Sequence, residues 1–526
     1  MRIRYCLEKA LYLAKSGRPG PCWLDIPLNV QGAFVEKEDL EGFDPEDYEN
    51  GGTGWGTMGN IHAIPEDEAG KGEKRQLLPC KVSRETADLI LSKIRAAKRP
   101  VINAGNGIRI AGAHDVFMRV AEKLGIPVIT GWDSEDCIWD EHPLYTGRAG
   151  NMGDRAGNFA IQNSDLVLSV GSRLSIRQVG YNYKTWARAA FVIANDIDSE
   201  ELKKPSVHAD LAVHADAKDL LEQLDGALDE ILEKEGNQLA ESLSKKGEKQ
   251  LFDGGEGLPG MNWSETCRMW KETYPVVQEK HWNFTDQEPA NVYAAIQAIS
   301  SRLKEGQITV VGNGSACVVG GHAYVIKKGQ RFITNSAVAA MGYDLPAAIG
   351  AWTASRDSRC YSQGRDRSGE DLILVTGDGS IQMNLQELQT IIHHKMGIKI
   401  FLINNGGYHS IRQTQKNFFG EPLIGIGVDS GDLSFPDMEK LAGAYGYPYI
   451  KAEHNSELAK AVEQTLAVEG PVICEIFVSM DQNFEPKSSA KRLPDGTLVS
   501  PPLEDLAPFL PEEEMDRNMI IPRIRE

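Results

Sequence analysis

Along this chain, short apolar runs alternate with stretches in which apolar residues recur every three or four positions, the two rhythms of strands and amphipathic helices. "PVINAG" (100–105), "IPVIT" (126–130), "SDLVLSVG" (164–171) and "AFVIANDID" (190–198) end in small or polar residues, with helical patterns between the first three. The rhythm resumes with "GQITVVGNG", "QRFITN", "EDLILVTGDG", "MGIKIFLINN", "YPYIKA" and "PVICEIF". Strands alternating with helices predict parallel sheets covered on both faces. The expected fold is α/β: two doubly wound parallel-sheet domains, at 84–225 and 290–480, preceded by the remnant of a third. That remnant, 1–35, holds a helical pattern (Ile3, Leu7, Ala10, Leu11, Ala14) closed by Gly17 and Pro19, then a short strand, "PCWLDIP". One helix and one strand cannot bury themselves. The acidic, glycine-rich 36–83 reads as a linker, 226–289 as an interdomain connection of charged helix and polar, Trp-bearing chain, and 481–526 as a Pro-rich extended tail. "ASRDSRCYSQGRDRSGED" reads as a surface insertion, and there is no repeat at solenoid periods.

One segment carries chemistry. Between the runs "EDLILVT" and "GIKIFLIN", Ile381, Leu385, Leu388, Ile391, Ile392 and Met396 mark one face of a helix that Gly397 would end. This is a βαβ unit, whose right-handed crossover lays its strands side by side and finishes both at one sheet edge. Asp378 and Asn405, 27 positions apart, are thereby brought together where open α/β sheets bind ligands. A carboxylate, an amide oxygen and a backbone carbonyl suit Mg²⁺, which takes its remaining oxygens from phosphates. Gly377, Gly379 and Ser380 form a turn entering a helix, and such a turn offers free N–H groups to an anion.

Charge and cysteine content narrow the classes. The 526 residues hold 56 Lys and Arg against 75 Asp and Glu, a formal charge of -19 that repels nucleic acid and anionic membranes. Neither is expected as a partner. Eight cysteines, with no C-x-x-C pair, and no 18-residue apolar run point to a cytoplasmic protein with free thiols. His393 and His394 have no third ligand at zinc spacing and read as surface or packing residues.

GDGS, a helix, then NN resembles the diphosphate-binding motif of thiamine diphosphate enzymes. "SAVAAMGYDLPAAIGA" (336–351) is similar to the segment that receives the thiamine pyrimidine. "RPVINAG", "EKLGIPVIT", "EHPLYTG", "SDLVLSVGSRLSIRQ" and "VIANDID" resemble the central domain of the acetolactate synthase group, and "ALYLAKSGRPGPCWLDIPLNVQ" (10–31) the end of its pyrimidine domain. The resemblance implies thiamine diphosphate and Mg²⁺ as cofactors, with Asp378, Asn405 and the Gly407 carbonyl on the metal. It implies Gly377, Gly379 and Ser380 at the diphosphate, Met341 as an apolar wedge beneath the cofactor, and the Ala339 carbonyl at its exocyclic amine. Asn313, in "VVGNGS", and Tyr408 complete the cofactor contacts.

The family's activating glutamate lies upstream of the segment with which this sequence opens, and no residue here takes its role. The expectation is a lyase or carboligase acting on a 2-oxo acid or related small carbonyl compound, with a pyrimidine domain supplied from elsewhere. The alternatives are a noncatalytic cofactor-binding or regulatory subunit, a truncated gene product, or a flavin or nicotinamide oxidoreductase. Where the synthases carry a Trp-bearing acceptor segment, this chain reads "GGYHSIRQTQKNFFG", and Tyr408, His409, Arg412, Gln413 and Gln415 are candidates for contacting a hydroxylated or acidic substrate. That departure looks more like the synthase-like enzymes of polyol or sugar metabolism. "NAGNGIRIAG" is a weak dinucleotide signal. FAD, through Arg173, Arg177 and Asp196, ranks behind helix capping or salt bridging for those residues. Relatives build the site between subunits, so a homo-oligomer or a partner bearing the pyrimidine domain is expected.

Overall fold

The computed structural model describes residues 2–52, 79, 81–240, 250–252, 254–357, 370–492 and 495–524. Two six-stranded sheets dominate it, every strand parallel to its neighbours. The first comprises β1 (Pro100–Ala104), β2 (Val128–Thr130), β3 (Tyr145–Arg148), β4 (Leu166–Val170), β5 (Phe191–Asp196) and β6 (Leu211–His214), in the order 3-2-1-4-5-6. The second comprises β7 (Ile308–Val311), β8 (Arg331–Thr334), β9 (Leu372–Gly377), β10 (Ile398–Asn404), β11 (Tyr449–Ala452) and β12 (Val472–Phe477), in the order 11-12-10-9-7-8. All ten expected strands of the two domains are present. β3 and β6 are additional, and neither is a long apolar run.

Why the strands read as continuous apolar runs is visible in the second sheet. Side chains alternate between its faces, so Ile373 and Val375 of β9 enter one core with Phe401 and Ile403 of β10, while Leu372 and Leu374 enter the opposite core with Ile398, Ile400 and Leu402. Both faces are covered by helices, which is the environment parallel strands require.

Four expectations change. "PCWLDIP" is not a strand: residues 21–27 have no strand neighbour, and Trp23 is 93% exposed. A strand without a ladder partner has nothing to hold it extended. The 378–396 helix is broken into Asp378–Ile381, a 3₁₀ turn at Gln382–Asn384, and Glu387–His393, and Lys395 at φ +50°, not Gly397, ends it. The 226–289 stretch is more than a connection, because the helix Trp263–Thr273 buries Trp263 and Trp270 in the first core, seven residues apart on one face. The tail also returns to that core through Leu503 and Met515, and the Trp270 Nε1–H donates to Asn518 Oδ1 at 2.8 Å. Most of the 36–83 linker and of the 353–371 insertion lies outside the described residues.

The domains are clasped by buried ions. The Arg148 guanidinium donates to the carbonyls of Gly321 (3.1 Å), His322 (2.9 Å) and Tyr324 (2.7 Å) across the boundary. Asp136 of the first domain bridges Arg109 at 3.1 Å and Arg331 of the second at 2.7 Å. Among the described residues no helix is long and apolar enough to cross a membrane, and six cysteines are free thiols, Cys80 and Cys360 lying outside them.

Candidate cofactor site

β9 and β10 pair in register with Ile403 opposite Gly377, so Asp378 and Asn405 leave adjacent strand tips side by side. The Asp378 carboxylate is 2% exposed; it accepts the Gly379 N–H at 2.8 Å and the Gly407 N–H at 2.9 Å. Burial still pushes its pKa up to about 6, the two backbone donors opposing the rise. Asn405 is also buried, and its Nδ2 donates to Ser315 Oγ at 2.8 Å. Its Oδ1 is left with no hydrogen-bond partner. A buried carbonyl oxygen without a donor costs about 1–3 kcal/mol. Beside a carboxylate that resists ionising in isolation, this lone oxygen has the chemistry of a hard-cation site, so the donor set present fits Mg²⁺.

The chain reverses its winding direction between β7 and β9, and open α/β sheets bind ligands at such switch points. A cavity of about 350 Å³ opens there, and every residue expected at the cofactor or metal lines it: Asn313, Ala339, Met341, Gly377, Asp378, Gly379, Ser380, Asn405, Gly407 and Tyr408. Their local roles differ. Asn313 Nδ2 donates to the Ala340 carbonyl at 2.7 Å and so braces the 339–341 segment, in which Ala339 sits at φ +57°. Ser380 Oγ accepts the Gly342 N–H at 3.0 Å, tying the same segment to the diphosphate turn. Gly379 is packed against Tyr408, where a Cβ would lie 2.4 Å from the ring, so only glycine leaves the phenol in place.

The polar residues after Asn405 do not act together. Tyr408 and His409 line the cavity, but His409 Nε2 lies 2.7 Å from the Gln482 carbonyl, and burial lowers its pKa to about 4, leaving the ring neutral. Arg412 is fully buried and paired with Asp429, Gln413 is held by His409 and Gln482, and Gln415 braces Ile424 through both its N–H and carbonyl. Arg412, Gln413 and Gln415 are not among the residues lining the cavity. They build the loop.

Sequence reasoning missed Ser315 and Trp132. Ser315 follows "VVGNG", two residues beyond Asn313, and that closeness along the chain was the available signal. Trp132 ends "IPVITGW" in the first domain, yet it lines this cavity, with the Arg177 guanidinium 4.9 Å from its ring centre. Arg177 also lines a larger cavity, about 840 Å³, at the corresponding switch point of the first sheet, together with Arg173 and Asp196. There Arg173 pairs with Glu201 at 2.6 Å, and Asp196 accepts the Asp198 N–H at 2.9 Å. His393 and His394 are exposed, and no group of three or more His, Cys, Asp or Glu side chains converges on a metal-sized site among the described residues.

A buried carboxylate and an unpaired amide oxygen on neighbouring strand tips, at the switch point of one of two doubly wound sheets, place the chain in the class of α/β proteins with a ligand site at that edge. Residues 87–224 match the family model of the thiamine pyrophosphate enzyme central domain, and 312–476 that of the C-terminal thiamine pyrophosphate binding domain. The chain belongs to the thiamine pyrophosphate enzymes, in the acetolactate synthase family. It is 26% identical over 509 residues to a probable acetolactate synthase large subunit of Methanococcus aeolicus, covering 95% of this chain and 73% of that one. Acetolactate synthase large subunits of Cyanidium caldarium (28% identity over 487 residues, 92% and 71% covered) and Lactococcus lactis (27% over 481, 91% and 70%) are also similar.

Proposed function

We propose that this chain is a thiamine diphosphate- and Mg²⁺-dependent lyase or carboligase acting on a 2-oxo acid. One observation carries the cofactor assignment: the buried, donorless Asn405 Oδ1 stands beside buried Asp378 on neighbouring strand tips. Asp378, Asn405 Oδ1 and the Gly407 carbonyl would hold Mg²⁺. Gly377, Gly379 and Ser380 would hold diphosphate oxygens, with Met341 beneath the cofactor, the Ala339 carbonyl toward its amine, and Tyr408 along its flank. Thiamine diphosphate, when bound, supplies carbanion chemistry at its thiazolium carbon.

For the substrate, the supporting observation is Arg177. Its guanidinium reaches the cavity over Trp132 without a carboxylate ion partner among the described residues, and a fork of this kind suits a substrate carboxylate. His409, neutral and tied to Gln482, leaves proton transfer to other groups. Asp378 is the only carboxylic acid among the described residues lining the cavity, which supports an activating acid brought by a pyrimidine-binding domain from another subunit or polypeptide, and with it an oligomeric active unit.

Calorimetric titration of thiamine diphosphate with and without Mg²⁺ tests the site: binding that requires Mg²⁺ is expected, and metal-independent binding or none refutes it. Decarboxylation of 2-oxo acids, assayed with and without a separately expressed pyrimidine domain, tests the activity. Cofactor binding without turnover in either case would instead mark a noncatalytic subunit. A flavin would be sought in the 840 Å³ cavity; the visible spectrum of the purified protein decides it, and nothing in the proposed reaction depends on it.

A further inference from the structure

The loop that carries two of the three proposed Mg²⁺ ligands is intrinsically loose. Gly406 and Gly407 follow Asn405 at φ +65° and +147°, and consecutive glycines in such conformations lose more freedom on ordering than any other residues. Something must hold Asn405 Oδ1 and the Gly407 carbonyl toward a common point. Arg412 is placed to do so. It is 0% exposed, on the helix His409–Phe418, and is not among the residues lining the cavity. Its Nη1 donates to the Asn405 carbonyl and its Nη2 to the Gly406 carbonyl, both at 3.2 Å. Nε and Nη2 also grip the two Asp429 oxygens, each at 2.8 Å.

The Asp429 side of this arrangement is built for it. A Cβ on Gly427 would lie 2.6 Å from Arg412 Nη2, so the chain is bare where the guanidinium passes. The Val428 N–H donates to the Gly406 carbonyl at 3.0 Å and the Tyr408 N–H to the Ile426 carbonyl at 2.7 Å, stitching 406–408 to 426–428. A planar fork can hold a carboxylate and two divergent carbonyls at once; an ammonium offers no such fixed geometry.

We propose that Arg412 is a positioning residue for the divalent cation. It fixes the Asn405–Gly407 backbone from behind, with Asp429 as its counter-ion, so that the 426–429 segment and the cation site order as one unit. This rests on the thiamine diphosphate reading and deepens it.

The test is calorimetric titration of Mg²⁺-thiamine diphosphate into the wild-type chain, Arg412→Lys, and the double variant Arg412→Met/Asp429→Leu, with the thermal midpoint of each metal-free protein measured in parallel. The double variant removes both charges at once, so neither is left unpaired; it does leave the Asn405 carbonyl without its Arg412 donor, so its midpoint should fall while the protein stays folded. It should bind the cofactor about 10- to 100-fold more weakly, the usual loss when a residue orienting metal ligands is removed. Arg412→Lys, which keeps the charge but not the fork, should recover only part of that loss. Hydrogen exchange on the wild-type chain needs no variant: the cofactor should slow exchange of the Tyr408 and Val428 amides together. A folded double variant or Arg412→Lys protein with wild-type affinity, or no slowing at those amides on binding, overturns this role alone. A wild-type chain that shows no Mg²⁺-dependent binding overturns the cofactor reading and this role with it.

Discussion

Replacing Asp378 by Asn should stabilise the metal-free protein while abolishing Mg²⁺-dependent cofactor binding. In the folded chain the Asp378 pKa is raised from 3.8 to about 6 by burial, a shift worth about 3 kcal/mol. The sign follows from proton binding. Between pH 3.8 and about 6 the folded chain holds a proton that the unfolded chain has released, so this group's contribution to stability falls as pH rises through that window and remains unfavourable above it. Asn carries no charge to desolvate. It does turn an N–H₂ toward one of the two backbone donors, Gly379 or Gly407, a lost bond costing about 1–2 kcal/mol. The balance leaves about 1–2 kcal/mol in favour of the variant at pH 8. Metal binding needs the carboxylate form, so wild-type affinity for Mg²⁺-thiamine diphosphate should also decline as pH drops through about 6. Differential scanning calorimetry of both metal-free proteins at pH 5 and pH 8, with titrations of the cofactor, reads every part of this. A variant less stable than wild type at pH 8, or one that still binds in a Mg²⁺-dependent way, would refute the reasoning.

Other substitutions address neighbouring claims. Gly379→Ala places a methyl 2.4 Å from the Tyr408 ring and should cost about 1–3 kcal/mol of overpacking, read as weaker thiamine diphosphate binding; unchanged affinity would mean that Tyr408 moves freely. Arg148→Met leaves the Gly321, His322 and Tyr324 carbonyls without their donor and should destabilise the chain by about 3–5 kcal/mol, measured by chemical denaturation; a loss below about 1 kcal/mol would show that the clasp is dispensable. Met341→Ala should lower turnover in the completed enzyme more than it lowers diphosphate affinity, and equal losses would indicate packing alone.

The pairing of Asp378 with Asn405 was legible because a βαβ crossover leaves a sequence few ways to place its two strand ends. The strand cores were legible because fully buried parallel strands are apolar on both faces. β3, "YTGR", and β6, "LAVH", escaped because one is short and polar and the other is an edge strand whose alternate side chains face out. "PCWLDIP" misled for the opposite reason: its residues suit a strand, and pairing, which a one-dimensional pattern does not contain, is missing. The same gap explains Arg412. Read alone, "YHSIRQTQ" is a row of polar groups awaiting a substrate, and Asp429 stands 17 residues further on, across a loop. Trp132 needed the contact between domains before its place at the cofactor cavity could be seen.

The polypeptide passes between the two sheets twice, once through the segment after Trp270 and again through the tail that runs from β12 back to Leu503 and Met515. Hinge closure bends a few loop or element-terminal residues; here two crossings would have to bend together, and the Arg148 bonds to the Gly321, His322 and Tyr324 carbonyls would have to break. Opening the halves like a clamshell would strip those three carbonyls of their buried guanidinium, which favours traffic of reactants past the loops rimming the strand tips.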